Sequence, residues 1–261
     1  MLCVVGSVIG VTQLYDVVYV VCSRSSTIRR FNRTTHQRLD DIDVKDLRMP
    51  WDIAACERTS QLYVADWREC VWRVSADGAD IRDWLPKPPF ATFQPYKLSV
   101  TSTRLLVTSR DDRQLIQFDA DGDELRRVQL PHHMELEHAV ESPTGTFIVS
   151  LHNTQPKQWQ VVEVNTGGEV LRQFSGSRLT SLGFTNHVAV DSHGNIFVAD
   201  QYNHHILLLD DHLSLRRVII DEHQLNYEQP WRLCYREDKG QLLVALWGSC
   251  GRVKVFDVVC R

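Results

Sequence analysis

Short apolar runs of four to six residues, bounded by Gly, Asn, Asp or Ser, recur along this chain. The clearest set spans Asn186 to Asp210: His187-Val-Ala-Val-Asp191, Asn195-Ile-Phe-Val-Ala-Asp200 and Ile206-Leu-Leu-Leu-Asp210, joined through Ser192-His193-Gly194 and through the polar segment Gln201 to His205. A helix would need a longer run spaced at 3.6, so each predicts a strand, and the three predict one small antiparallel sheet.

The same pattern returns at a period in the forties, which predicts a repeat architecture. One copy is Trp51-Asp-Ile-Ala-Ala55, Gln61-Leu-Tyr-Val-Ala-Asp66 and Val71-Trp-Arg-Val-Ser75. Further copies begin at Tyr96, His138, His187 and Trp231, and a degraded one at Val8. Between units lies a weaker, charged alternating run, such as Gln37 to Val44, Ile81 to Leu85 or Glu124 to Leu130, that suits an outer edge strand. Four strands per unit and six units predict an all-β, six-bladed β-propeller of four-stranded antiparallel blades. The blades fall at about 7–45, 46–90, 91–133, 134–181, 182–226 and 227–261, within a single domain. The sixth copy stops before an outermost strand, so residues 1–6, with Leu2-Cys-Val-Val5, are expected to complete it and close the ring.

A net charge of -4 gives no global field for a polyphosphate. The seven cysteines include no CxxC pair, which suits reduced thiols in a cytoplasmic protein. The apolar N-terminus is interrupted by Gln13 and Asp16, so it reads as two strands rather than a membrane span.

The unit NHVAVDSHGNIFVADQYNHHILLLD resembles the NHL repeat, with its apolar inner strand, Gly-Asn turn, Val-Ala-Asp second strand and Asn-containing entry to the third. Leu62-Tyr-Val-Ala-Asp66 repeats the motif, whereas Cys22, Ser109, Leu151 and Leu246 replace its Asp elsewhere. The resemblance implies a six-bladed propeller, as in the C-terminal domains of tripartite-motif ubiquitin ligases and in the peptidyl-hydroxyglycine amidating lyase. Its functions divide among protein binding, RNA binding and, in few members, catalysis, so fold does not choose among them.

In such a blade the loop entering strand one and the loop between strands two and three open on the same end of the cylinder. Trp51, Tyr96, His138, His187 and Trp231, with Ile9 in the first unit, are then expected at the channel mouth. Trp67, Arg68, Arg110, Tyr202 and Trp247 are expected in the loops that ring it. An Arg/Trp/Tyr rim is typical of protein interfaces. The predicted function is therefore a non-enzymatic interaction module or scaffold, with a protein or peptide as partner and no cofactor.

Two alternatives remain open. By resemblance to the amidating lyase, His138 and His187 would hold zinc for a lyase or hydrolase, with His152 as a third ligand from its loop. RNA is the other: Trp67, Tyr202 and Trp247 would stack bases, although Glu69, Asp111 and Asp112 offset Arg24, Arg68, Arg110, Arg113 and Lys157. Asp119-Ala-Asp-Gly-Asp123 imitates a calcium loop, but Leu130 stands where the twelfth-place Glu belongs, and a β-turn is expected. Cys70 and Cys250 fall near the rim, where packing is the expected role.

Overall fold

The computed structural model describes residues 2–4, 6–67, 69–85, 94–176, 182–248 and 251–258. They form six four-stranded antiparallel sheets set around an axis, a six-bladed β-propeller. The inner strands, in order, are Val8–Leu14, Pro50–Cys56, Lys97–Thr101, Met134–Glu141, Thr185–Val190 and Gln229–Arg236. Among the described residues helix is confined to a short turn at Glu222–Leu225, capped by Asp221, and a 3-10 turn at Glu237–Lys239. Among the described residues, no helix is long and apolar enough to cross a membrane.

Strand alternation builds the ring. Along Gln61–Asp66, Leu62 and Val64 pack into the cluster shared with blade 1, while Tyr63 and Ala65 face the cluster shared with blade 3. Apolar side chains on both faces of each sheet thus meet those of both neighbours. Six apolar clusters result, one at each blade interface. Outer strands have only a neighbour on one edge, and Glu124–Gln129 is exposed at all positions except Val128.

The ring closes as expected. Leu2–Cys3 pairs antiparallel with Arg252–Asp257, Leu2 opposite Val253 and Cys3 opposite Arg252. The Val4 amide donates to the Gly251 carbonyl at 2.8 Å, and the Gly251 amide donates to the Gly6 carbonyl at 3.0 Å. A Cβ on Gly251 would lie 2.2 Å from that Gly6 oxygen, so the crossing demands glycine. Leu2 and Val4 are buried in the cluster between the last and first blades. Leu2→Ala is expected to lower the unfolding free energy by about 2 kcal/mol, at the low end for a buried leucine because a chain end relaxes, as read from urea melts.

Two elements depart from the sequence expectation. The outer strand of blade 1 is only Ile42–Asp43, not Gln37 to Val44. Asp40 and Asp41 are poor strand formers, and Arg38 turns to pair with Asp41 at 2.6 Å. In blade 4 the strands Phe147–Thr154 and Lys157–Val164 continue through the segment expected to be a loop. The extension is held by cross-strand pairs: His152 stands opposite Trp159, its ring 4.7 Å from the indole. Asp119 to Asp123 is the expected turn, with the Asp119 carboxylate accepting the amides of Asp121, Gly122 and Asp123.

Candidate functional site

The inner strands determine what reaches the axis. In five of the six a register shift inserts one extra residue, between Val8 and Gly10, Pro50 and Asp52, Leu136 and His138, Thr185 and His187, and Pro230 and Arg232. After the shift the ladder resumes at equivalent places: Gly10 opposite Val21, Asp52 opposite Ala65, His138 opposite Ser150, His187 opposite Ala199 and Arg232 opposite Ala245. Blade 3 runs straight and puts Lys97 opposite Thr108 at the same level. A bulge re-aims the side chain that follows it. Gly10, Asp52, Lys97, His138, His187 and Arg232 therefore form one layer, one residue from each blade. At Gly10 a Cβ would stand 2.7 Å from Val21 Cγ2 and 3.0 Å from the Ile53 amide nitrogen, so blade 1 contributes backbone alone.

The second-strand aspartates of the Val-Ala-Asp motif hold the entries to these strands. Asp66 accepts the amides of Arg48 and Met49 at 3.0 and 2.7 Å, and Asp200 accepts the Gly183 amide at 3.1 Å and the Asn203 side chain at 2.8 Å. That motif is a brace for the loop that feeds the axial strand.

The axial layer is buried, charged and mutually bonded. Arg232 Nη1 lies 2.8 Å from Asp52 Oδ2 and also donates to His187 Nε2. Its Nη2 donates to the carbonyls of Ile53 and Leu98 at 3.0 and 3.1 Å. Asp52 accepts in addition the amides of Ile53 at 2.9 Å and Leu98 at 2.8 Å. Burial raises the Asp52 carboxyl above its ordinary range, and the Arg232 guanidinium offsets only part of that rise. His138 and His187 stack with ring centroids 3.6 Å apart. Burial, and next the charge of Arg232, hold both imidazoles neutral, well below the usual histidine range. Because Arg232 donates to His187 Nε2, the His187 proton sits on Nδ1.

Lys97 differs from its neighbours. It is 0% exposed, and Nζ has no hydrogen-bond acceptor. Burial lowers its pKa from 10.5 to about 8, against the attraction of Asp52. The ammonium lies 5.0 Å from the centroid of the Trp231 ring and 5.7 Å from that of Tyr96.

On the strand-one entry side, the aromatic residues expected at the mouth stand one position before the axial layer rather than in it. Trp51, Tyr96 and Trp231 precede Asp52, Lys97 and Arg232, and Glu137 is their counterpart in blade 4. His138 and His187 are thus a step deeper than expected, since each inner strand of blades 4 and 5 begins before its histidine. Ile9 packs between blades 1 and 2 instead of at the mouth.

The rim residues fall into two groups. Trp51 stacks on Trp67 at 5.3 Å and lies 5.7 Å from Tyr96, over which Arg110 sits at 5.7 Å. With Gln94, Asp111, Arg113 and Glu135 they line a pocket of 540 Å³. Arg110 also pairs at 3.0 Å with buried Glu137, whose other oxygen accepts the Tyr96 hydroxyl at 3.0 Å. Across the mouth, Trp231 contacts Trp247 at 4.3 Å and Phe184 at 6.3 Å, and Phe184 contacts Tyr202 at 5.8 Å. Tyr202 and Trp247 are exposed. Arg68 and Cys250 lie outside the described residues.

A second pocket, of 470 Å³, opens at the opposite end, lined by His138, His187 and Arg232 and edged by Glu57, Glu141, Glu237 and Asp238. The axial layer separates the two.

Zinc does not fit the histidine pair. Imidazoles stacked face to face at 26° cannot aim lone pairs at one ion, and His187 Nε2 already faces the Arg232 cation. His152 pairs instead with Glu135 at 3.3 Å on the extended hairpin. Among the described residues no three His, Cys, Asp or Glu side chains group as metal ligands. Cys22, Cys56, Cys70 and Cys234 are free thiols. Burial, then the charges of Asp83 and Asp66, push the Cys70 thiol up, which disfavours the reactive thiolate.

Sequence reasoning missed Asp52, Lys97 and Arg232. The signal was present: Pro50-Trp-Asp52, Pro95-Tyr-Lys97 and Pro230-Trp-Arg232 each set a charge after a Pro-aromatic pair, inside an otherwise apolar strand.

Fold and axial layer together define a six-bladed β-propeller, and solved structures resemble it at that level. A protein of unknown function from Bacteroides caccae is 16% identical with a TM-score of 0.70, covering 92% of this chain and 89% of the other. A catalytically inactive virginiamycin B lyase from Staphylococcus aureus, solved with quinupristin, is 13% identical with a TM-score of 0.69, covering 95% and 80%. The WD40 β-propeller domain of Doa1 is 16% identical with a TM-score of 0.67, covering 98% and 83%. No family model and no curated protein matches the sequence.

Proposed function

We propose that this propeller is a non-enzymatic interaction module that binds a protein or peptide segment on the strand-one entry face. What supports the reading is the pocket where Trp51, Trp67, Tyr96 and Arg110 meet, 540 Å³ in volume. Its walls are large, rigid aromatic faces, and its edge carries Gln94, Asp111, Arg113 and Glu135. Stacked aromatics give up little conformational entropy when they receive an apolar side chain, and the polar edge supplies the specific hydrogen bonds. Tyr202 and Trp247, both exposed on the same face, extend the surface beyond the pocket. The bond from the Tyr96 hydroxyl to buried Glu137 fixes one wall of the pocket. Single-stranded RNA is less favoured, because Asp111 and Glu135 share the groove with Arg110 and Arg113 and interrupt a phosphate track.

The test is affinity selection from a random peptide library against the purified protein, followed by calorimetry on the enriched sequences. Trp67→Ala and Arg113→Ala are each expected to weaken binding at least about tenfold, while Glu237→Ala on the opposite face leaves it unchanged. No enrichment, or binding indifferent to Trp67, would overturn the reading.

A further inference from the structure

One buried charge beneath the entry face has no bonded partner. Asp52 is bonded to Arg232, and Glu137 to Arg110. Lys97 is left over, fully buried, with no acceptor on Nζ. The charged groups that act most strongly on it are these same Asp52, Arg232, Glu137 and Arg110, and both carboxylates are already bonded to the arginines. A buried ammonium without a partner is costly, and proteins keep one chiefly where something else supplies the counter-charge. Its neighbour Trp231 is in the same condition: the indole Nε1 is buried and has no acceptor. Both orphaned donors belong to one contact, for Nζ faces the Trp231 ring 5.0 Å from its centroid. One of the rings flanking Nζ, Tyr96, is also a wall of the aromatic pocket.

We propose that the ligand of the entry face presents a carboxylate that passes between the Tyr96 and Trp231 rings to Lys97 Nζ and Trp231 Nε1, its apolar part resting in the Trp51, Trp67 and Tyr96 pocket. This rests on the peptide-binding reading above and specifies its anchor. The two oxygens of one carboxylate satisfy both donors and give the ammonium a bonded counter-ion. No hydrogen bond through its Nε1 pins the Trp231 ring, so its displacement breaks none there. The same chemistry is offered by the C-terminus of a chain and by an acidic side chain. Recognition is expected to fade as pH rises through the Lys97 pKa of about 8, because the neutral amine no longer attracts an anion.

Three probes separate the possibilities by calorimetry at pH 7: N-acetylphenylalanine, with a terminal carboxylate; N-acetyl-glutamyl-phenylalanine amide, with a side-chain carboxylate; and N-acetylphenylalanine amide, with neither. At least one acid is expected to bind about tenfold or more tighter than the neutral amide, and which one does so identifies the source of the carboxylate. That advantage should vanish in Lys97→Met, which keeps the buried stem and removes the charge. The proposal is overturned if the amide matches both acids, if none of the three binds, or if the advantage survives in Lys97→Met. Library peptides that bind through Trp67 without any acid preference would leave the interaction surface standing and remove only the carboxylate anchor.

Discussion

Replacing Asp52 by Ala is expected to cost about 3–5 kcal/mol of folding stability. The carboxylate is 0% exposed and takes three donors: the Ile53 and Leu98 amides and the Arg232 guanidinium. Those donors come from blades 2, 3 and 6, so one side chain joins strands that are far apart in sequence. Its removal leaves a guanidinium in the interior without a counter-ion, and the desolvation of that charge is then unopposed. Urea unfolding of the variant measures the loss. A cost below about 1 kcal/mol, the size of an exposed pair, would mean that water reaches the site.

Lys97→Met is expected to act in the other direction, stabilising the unliganded protein by about 2–3 kcal/mol at pH 7. The fall in the lysine pKa from 10.5 to about 8 corresponds to about 3 kcal/mol of penalty for the buried charge. Part of the gain is offset by lost attraction to the Tyr96 and Trp231 rings. The sign with pH follows from linkage. Between about pH 8 and 10.5 the unfolded lysine holds a proton that the folded one has lost, so the wild-type protein gains stability from this group as pH rises. The penalty is complete below pH 8, and the gap between Lys97→Met and wild type should close toward pH 10.5. Taking the difference between the two proteins removes the tyrosines and cysteines that titrate in the same range. A gap that stays constant with pH would show that the methionine acts through packing alone.

The architecture was legible because every blade repeats the same alternation, and period-2 burial against two neighbours permits few other assemblies. Runs such as Leu62-Tyr-Val-Ala-Asp66 carry both faces of a sheet in a few residues, and the unpartnered Leu2 pointed to the missing strand of the last blade. The gathering of Trp51, Trp67, Tyr96 and Arg110 followed from repeat position alone. The axial layer did not, because the bulges at Asp52, His138, His187 and Arg232 are backbone events. Aligning the copies on the first conspicuous side chain put Trp51 level with His138, whereas the ladder puts Asp52 there. Cross-strand reach misled in a similar way at His152, whose pairing with Trp159 turns a polar segment into strand.

The axial layer depends on side chains from non-adjacent blades meeting on the axis, as Asp52 of blade 2 and Arg232 of blade 6 do. A double-mutant cycle between Asp52 and Arg232, using Asp52→Ala, Arg232→Met and the pair, measures that contact directly. The account predicts a coupling of about 2 kcal/mol or more, with the double variant more stable than Asp52→Ala alone. Additivity within about 0.5 kcal/mol would contradict it, for two residues that do not touch have no reason to interact.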